Sequence, residues 1–331
     1  MAVLTHRRPK GLDRLLSSFD TLTRPDCGRL AILVVDNDLN ESARDVSLAR
    51  RTGFAKIHYV CEPRRGIPVA RNRALDEAQA MGADVLCFID DDEYPDSQWL
   101  TNLVDCWKKT EAHLIGGPVE VTPLSDRAGT WARFVNASLV GRMRRKNRRT
   151  ARAAECGRPF TVVTNNWLCD LGWQRRNGVR FDEKLLFSGG SDTAFHRDVK
   201  AAGGRIAWCP TARVHETMAP CRLSFPYQFR RAAAQSITNF RIKNRKVSST
   251  VVLRTVTIAS VRVVLGVMLV LVPVFGIASP VVAIRSLGWS TGRIQALLGR
   301  ESELYKWSEG GHGSSETFVD LAASEAPRCE G

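Results

Sequence analysis

The strongest chemical signal in the sequence is a run of three carboxylates, Asp90 to Asp92, that follows the apolar segment Val85–Ile89. A single aspartate after a strand is well explained as the cap of the next helix. Three adjacent carboxylates repel one another unless a cation lies between them. Mg²⁺ and Mn²⁺ take oxygen ligands, and Mg²⁺ usually keeps substrate phosphates in its shell. The triplet therefore predicts a divalent-cation site with room for a diphosphate.

Three other positions carry groups that could take part in chemistry. Asp36 follows the apolar run Ala31–Val35 and is suited to accept hydrogen bonds from a nucleobase or a ribose. Asp192 lies at a predicted helix start in GGSDTAFHRD, where an aspartate is either a helix cap or a general base. His215 follows an apparent strand, and its imidazole is either a metal ligand or a structural group.

Alternating strands and helices must position these groups. Apolar runs end in polar or turn-forming residues, and leucines or alanines between them recur at helical spacing, with Pro68 suited to the first turn of a helix. This alternation predicts βαβ units and a mostly parallel sheet. In such sheets ligands bind beyond the carboxyl ends of the strands, so Asp36 and the Asp90–Asp92 triplet should share one edge. The predicted strands are Ala2–Thr5, Ala31–Val35, Ile57–Cys61 and Val85–Ile89.

The pattern is looser from Gly117 to Gly157, where Arg142–Arg152 contains seven Lys or Arg residues and no acid. We interpret this stretch as an exposed basic segment. A second structured part then includes Phe160–Val163 and Ile206–Cys209. Beyond Arg241 the chain becomes apolar, and an uncharged core, residues 263–284, would span about 33 Å as a helix.

That length fits a bilayer core, although a buried core helix is the alternative. Pro273, Gly276 and Pro280 leave a kinked span, a hairpin or an interfacial segment open. The sequence has a formal net charge of +14 over 331 residues, which indicates an anionic partner: a nucleotide, a nucleic acid or an acidic lipid surface. Nine scattered cysteines without a C-x-x-C pair, and an N-terminus without an apolar leader, favour a cytosolic location.

Six motifs in order resemble the family-2 glycosyltransferases, most closely the bacterial exopolysaccharide branch with succinoglycan-type glucosyltransferases. Together they cover roughly residues 1–231. The resemblance implies a GT-A nucleotide-diphospho-sugar transferase fold of the α/β class, a Rossmann-like mixed sheet flanked by helices. The motifs are LTHRRP (4–9), VVDND (34–38), EPRRGIPVARNRAL (62–75), FIDDDEYP (88–95), TNN (164–166) and GGSD (189–192).

The resemblance also implies roles for individual residues. Asp192 would be the general base of an inverting transfer, and Asp92 and Asp90 would ligate Mg²⁺ or Mn²⁺, with His215 as an additional ligand or diphosphate contact. Asp36 would bind the nucleobase, Arg71 would contact the diphosphate or support that wall, and Asp90 would also contact the ribose. The remaining implied donor contacts are Thr5, Asp91, Asn166, Arg230 and Arg231.

Two departures from the family pattern matter. Ser191 stands where the family commonly has Glu before its catalytic Asp, which leaves the proton acceptor in place. Ala232 follows Gln228-Phe229-Arg230-Arg231, so the Q-x-x-R-W signature of processive synthases is incomplete and addition of a single sugar is favoured.

We therefore predict a catalytic domain over residues 1–240, a basic and apolar membrane-associated helical region over 241–307, and a disordered tail over 308–331. The partners would be a nucleotide-sugar donor, for which the resemblance favours UDP, a glycan or lipid-linked acceptor, and membrane lipids, with no nucleic acid. The location would be the cytoplasmic face of the inner plasma membrane, as a membrane-associated or single-span protein, because Lys and Arg are in excess upstream of Val263.

Other functions fit the sequence less well. A membrane-anchored basic protein that binds nucleic acid or anionic lipid without catalysis is the main alternative, but the basic runs lack interleaved aromatic residues. No G-x-G-x-x-G follows the first strand, which argues against a dehydrogenase. A metal-dependent phosphatase or nuclease would need a second carboxylate cluster or a nucleophile. A catalytically silent relative would not need Asp36, Asp92 and Asp192 together.

Overall fold

The computed structural model describes residues 1–125, 128–186, 190–244, 247–271 and 279–300. The chain folds as two compact units. The first contains Met1–Thr122, Val140–Leu186 and Gly190–Thr217, and the second contains Pro123–Leu139 and the described residues from Met218 onward. Gly189 of the GGSD motif, part of the uncharged core 263–284 and the predicted tail 308–331 lie outside the described residues.

The first unit is built around a mixed sheet with the strand order β3-β2-β1-β4-β8-β6-β9. Strands β1 to β4 are mutually parallel where they pair, and β8 runs antiparallel to both of its neighbours. A smaller sheet has the order β5-β10-β7. The strands are β1 (Ala2–Thr5), β2 (Ala31–Asp36), β3 (Lys56–Cys61), β4 (Val85–Asp90), β5 (Glu93–Pro95), β6 (Leu114–Gly116), β7 (Val119–Val121), β8 (Asn166–Asp170), β9 (Ile206–Trp208) and β10 (Val214–Glu216).

Helices cover both faces of the larger sheet, and the alternation of side chains along each strand separates two hydrophobic cores. In β4, Cys87 and Ile89 belong to the core that includes residues of α1 and α4, whereas Leu86 and Phe88 belong to the core that includes residues of α3, α6 and α7. The helices are α1 (Pro9–Ser18), α2 (Arg44–Ala49), α3 (Ile67–Ala80), α4 (Trp99–Thr110), α5 (Thr130–Glu155), α6 (Leu171–Arg176), α7 (Ser191–Ala201), α8 (Phe225–Lys243), α9 (Ser249–Leu271) and α10 (Ser279–Leu297).

The predicted strands of the first hundred residues are confirmed to within one residue at either end, and Pro68 lies in the first turn of α3 as predicted. In the second structured part, Phe160–Val163 forms neither helix nor strand, and the first strand is β8. The seven Lys and Arg residues of Arg142–Arg152 are exposed, as predicted. They lie in the 26-residue helix α5, whose buried side chains all come from its first ten residues, so the basic part carries almost no apolar periodicity.

The second unit includes the three helices α8, α9 and α10. Glycines let α10 approach α8 closely, since a Cβ atom at Gly288 or Gly292 would collide with the backbone of Phe229 or Ala233. Within the described residues one helical segment, Ser249–Leu269 of α9, is long and apolar enough to cross a membrane. Its mean hydropathy is 1.9, and only 11% of its most apolar part is buried inside the protein. Helix α8 runs from Phe225 to Lys243 and belongs to this unit, so the predicted domain boundary at residue 240 lies inside that helix.

Candidate active site

Three strand ends bring the predicted site residues of the first ninety positions to one edge of the sheet. Strand β1 lies between β2 and β4, with Thr5 beside Asp36 and Leu4 beside Asp90. Because the three strands are parallel, their carboxyl ends meet at the same edge. The prediction that Asp36 and the Asp90–Asp92 triplet share this edge is confirmed.

Asp91 is held by two side chains that follow or end β1. Its Oδ2 accepts a hydrogen bond from the Thr5 hydroxyl at 2.8 Å, and its Oδ1 accepts one from Arg8 Nη1 at 3.0 Å. Arg8 Nη1 also donates to Asp92 Oδ2 at 3.1 Å. Asp91 is 6% exposed, so this buried carboxylate fixes the turn between β4 and β5. Nothing in the LTHRRP motif beyond its basic character indicates this role of Arg8.

Asp90 has the opposite character, because no hydrogen bond to its carboxylate occurs among the described residues. The pKa of Asp90 is raised to about 7, first by burial and then by the charge of Asp92, against the opposing effect of Arg71. Asp192 also raises this pKa. The charges of Asp92, Arg71 and Asp192 thus act on Asp90, although the four residues come from three separate motifs.

Glu93 is a fourth carboxylate in this turn, and its role was not predicted from the sequence. It is 4% exposed, and its Oε2 accepts the Asp90 backbone N–H at 3.0 Å. Its Oε1 accepts a hydrogen bond from Asn165 Nδ2 at 2.7 Å. Burial and the charges of Asp90 and Asp92 raise the pKa of Glu93 well above its usual range. Its position directly after the triplet was the signal that could have identified it.

Arg71 and Asp192 form an ion pair between α3 and α7. The same guanidinium nitrogen donates to the Ser191 hydroxyl at 2.9 Å, and the guanidinium lies over the ring of Phe181 at 5.4 Å. The residue at the N-cap position of α7 is Gly190, so Asp192 does not cap the helix through its own side chain. Of the two interpretations of Asp192, the capping one loses its support.

Asp36 lies at the end of β2 and is fully buried. Its Oδ2 accepts hydrogen bonds from the Ala43 backbone N–H at 2.8 Å and from the Tyr59 hydroxyl at 3.1 Å. Its Oδ1 is buried and has no hydrogen-bond partner among the described residues. Burial raises the pKa of Asp36. An unpaired buried acceptor of this kind is costly unless a donor group reaches it.

Asn166 is fully buried, and its amide is already used within the protein. Its Nδ2 donates to the Pro118 carbonyl at 2.9 Å and to the Ala212 carbonyl at 2.7 Å. Its Oδ1 accepts the Trp99 indole N–H at 2.8 Å. No exposed amide atom is left to contact a nucleotide-sugar donor, so this geometry does not support the predicted contact of Asn166 with the donor substrate. The side chain instead ties together three segments of the fold.

The substitution Asn166→Ala is expected to lower the free energy of unfolding by about 2–5 kcal/mol, because it leaves the Trp99 indole N–H and the Ala212 carbonyl without their partner, whereas the Pro118 carbonyl still accepts the Val214 N–H. Urea unfolding followed by circular dichroism measures this loss. Asn165→Ala is the matched control: it removes one hydrogen bond, to Glu93, and should cost about 1–2 kcal/mol. An Asn166→Ala protein of normal stability that binds donor weakly would restore the donor-contact interpretation.

His215 lies in β10 opposite Tyr94, and the two rings stack with centroids 5.0 Å apart. Its Nε2 is 2.7 Å from Asp96 Oδ1. One of the two imidazole nitrogens is therefore occupied by a carboxylate in this structure, and the ligand role stays a prediction. Among the described residues no three His, Cys, Asp or Glu side chains converge as a metal-binding group.

Arg230 and Arg231 lie in α8 of the second unit. Arg230 Nε donates to the Pro226 carbonyl at 3.4 Å, and Arg231 Nη1 donates to the Tyr227 hydroxyl at 3.4 Å. Both contacts are local to the helix, and the predicted contacts of these arginines with a diphosphate stay predictions.

Comparison with known proteins gives a consistent result. The family model described as glycosyl transferase family 2 matches residues 2–170. The succinoglycan biosynthesis protein ExoM of Rhizobium meliloti is 32% identical over 252 residues, which cover 74% of this chain and 75% of that protein. The glycosyltransferase AglE of Haloferax volcanii is 28% identical over 118 residues, or 35% of this chain and 38% of that protein.

Among solved structures, the mannosyltransferase PcManGT from Pyrobaculum calidifontis, in complex with GDP-Man and Mn²⁺, superposes with a TM-score of 0.51. The match covers 98% of this chain and 78% of that chain at 16% sequence identity, so it concerns the fold alone. The predicted GT-A architecture, a mixed sheet flanked by helices, is confirmed.

Proposed function

This chain belongs to glycosyl transferase family 2, and we propose that it transfers one sugar, with inversion, from a nucleoside-diphosphate donor to a hydroxyl group of an acceptor. The observation that carries the proposal is the Arg71–Asp192 ion pair, whose charges, with that of Asp92, act on Asp90 at the carboxyl end of β4. A cation-binding pair of carboxylates beside a carboxylate base is what departure of a diphosphate and attack by a hydroxyl require.

The nucleotide end of the donor would bind at Asp36. The Oδ1 atom of Asp36, which has no partner among the described residues, is suited to accept an N–H of a nucleobase. The Tyr59 hydroxyl and the Ala43 backbone N–H hold the other carboxylate oxygen in place. Uracil has one ring N–H flanked by two carbonyl groups, so a single acceptor of this kind suits UDP. Thr5 would support this wall from the neighbouring strand position, through its bond to Asp91.

Asp90 and Asp92 fit a divalent cation. They are separated by one residue in the chain, the charge of Asp92 raises the pKa of Asp90, and the Asp90 carboxylate accepts no hydrogen bond from the described residues. Two protein carboxylates are enough, since Mg²⁺ usually keeps waters and substrate phosphates as further ligands. When bound, the cation would neutralise the charge of the departing diphosphate. Arg71 would add a guanidinium to the same wall.

Asp192 would supply the base. Arg71 and Ser191 hold its carboxylate at the first turn of α7, where it remains partly open to solvent. The acceptor hydroxyl gives its proton to Asp192 while its oxygen bonds to the anomeric carbon. The bond from that carbon to the diphosphate oxygen breaks on the opposite side, and the nucleoside diphosphate leaves with the bonding electrons. Attack opposite to the leaving group inverts the anomeric configuration.

We further propose a role in exopolysaccharide synthesis at the cytoplasmic face of the membrane. The similarity to ExoM supports the first point. The apolar helix α9 supports membrane association, which would bring a lipid-linked acceptor within reach of the site. The incomplete Q-x-x-R-W signature supports addition of one sugar, and Arg230 and Arg231 would contact the diphosphate.

The test is donor turnover by the detergent-solubilised protein, with Mn²⁺ or Mg²⁺, across UDP-, GDP- and dTDP-sugars. Release of nucleoside diphosphate and transfer to a membrane lipid extract are both measured. GDP-sugars belong in the panel because PcManGT is bound to GDP-Man. We expect cation-dependent turnover of a UDP-sugar. If no donor binds or turns over with lipid extract present, the transferase proposal is wrong for this protein.

A further inference from the structure

The helices α8, α9 and α10 of the second unit lie in a stretch of sequence that has basic residues but no acidic ones. Between residues 218 and 300 the sequence contains twelve Lys or Arg residues and no Asp or Glu. Any guanidinium in α8, α9 or α10 therefore has no carboxylate partner within this stretch. A charged group removed from water needs a counter-ion or hydrogen-bond acceptors, so a buried guanidinium of these helices can reach an anion only from outside this stretch.

Two of the cations lie against one indole. The Arg262 guanidinium carbon is 4.0 Å from the ring centroid of Trp289, and that of Arg293 is 4.7 Å from it. Arg293 also lies 5.3 Å from the ring of Phe240. We refer to Arg262, Trp289 and Arg293 as the Trp289 cluster. It joins α9 to α10, because Arg262 comes from the first helix and the other two residues from the second.

The Trp289 cluster leaves hydrogen-bond donors unused. Arg293 Nε is buried and has no partner among the described residues. No acid among those residues pairs with either guanidinium. Contact with a ring face attracts a cation but takes up none of its five N–H donors. Two like charges held together also repel, so the arrangement is favourable when an oxyanion lies between or beside them.

The surroundings indicate where that oxyanion comes from. Helix α9 carries Arg262, and its outward side chains are large, apolar and exposed, including Leu253, Val264, Leu265 and Met268. Tryptophan is enriched at membrane–water interfaces, and arginine side chains extend to headgroup level. A guanidinium pairs with phosphate oxygens in a fixed, bidentate geometry.

We propose that the Trp289 cluster binds the phosphate of an anionic phospholipid headgroup. The inference rests on the membrane association of the C-terminal helices proposed above and is independent of sugar transfer. The phosphate oxygens accept the free N–H groups of Arg262 and Arg293, and Trp289 orients both guanidinium groups. The cluster then fixes the depth at which α9 and α10 sit in the cytoplasmic leaflet.

The experiment is sedimentation of the full-length protein with vesicles of phosphatidylcholine alone and of phosphatidylcholine with phosphatidylglycerol. Arg262→Gln and Arg293→Gln should each weaken binding to the anionic vesicles by about tenfold or more, since each removes a charged hydrogen-bond donor. Arg254→Gln is the matched control: it removes the same charge from α9, and general attraction to the surface predicts about fivefold at most.

Trp289→Leu distinguishes a specific phosphate-binding site from general attraction by net charge. It changes no charge, yet it should lower the preference for anionic over neutral vesicles by about the same factor as Arg262→Gln. Binding of all variants to neutral vesicles should stay close to that of the original protein, and unchanged circular dichroism spectra would show that the variants fold.

Equal losses for Arg262→Gln and Arg254→Gln would overturn the site, because the cations would then act through net charge only. Equal binding of the original protein to both kinds of vesicle would overturn the site while membrane association stands. Binding to neither would overturn membrane association as well, and donor turnover would then be judged separately.

Discussion

Asp192→Asn is expected to lower the rate of sugar transfer by about 10²- to 10⁴-fold, the usual contribution of a positioned general base. Asparagine keeps the size of the side chain, and its Oδ1 can still accept hydrogen bonds from Arg71, so the wall around it should persist. The amide cannot take a proton from an acceptor hydroxyl. The loss should therefore lie in kcat, and the affinity for the donor should change little.

The measurement is steady-state transfer together with donor affinity by isothermal titration. Asp198→Asn is the matched control, since Asp198 lies in the same helix but pairs only with its neighbour Arg197 among the described residues. It should leave both quantities unchanged. If Asp192→Asn instead abolished donor binding and kept the rate at saturation, Asp192 would be a donor contact and another group would have to act as base.

Much of this site could be predicted from the sequence because strand ends and carboxylates are local features. An apolar run followed by aspartates identifies both the strand and the edge at which its ligands lie, and this held for Asp36 and Asp90. The pairing of Arg71 with Asp192, more than a hundred residues apart, was not predicted. No spacing rule connects α3 to α7.

The details that the sequence did not provide depend on tertiary contacts. Asn165 and Asn166 are adjacent and chemically identical, yet one contacts Glu93 and the other is fully buried at the start of β8. Only the strand register decides which is which. Arg8 lies in a turn rich in arginine, and nothing local shows that its guanidinium bridges Asp91 and Asp92. Burial, which sets the pKa of Glu93, is likewise a property of the folded chain.

Asp92→Ala is expected to lower transfer by about 10²- to 10³-fold and to weaken Mn²⁺ binding in the presence of UDP by more than about tenfold, because a cation that offsets leaving-group charge contributes several kcal/mol. Asp91→Asn is the control. The Asp91 carboxylate accepts hydrogen bonds from Thr5 and Arg8. Asp91→Asn should therefore lower the free energy of unfolding, while its effect on the Mn²⁺ affinity should be small. Calorimetric titration of Mn²⁺ into the protein with UDP measures the affinity.

The pH dependence of the same titration tests Asp90. Its pKa is raised to about 7, so below that pH the carboxyl is mostly neutral and a cation must displace a proton to bind. The Mn²⁺ affinity should therefore fall about tenfold per pH unit below 7 and level off above it. Asp90→Asn has no proton to displace and should bind Mn²⁺ weakly at every pH. An affinity that stays constant from pH 6 to 8 in the original protein would mean that Asp90 is not a ligand, and Asp92 would then hold the cation without it.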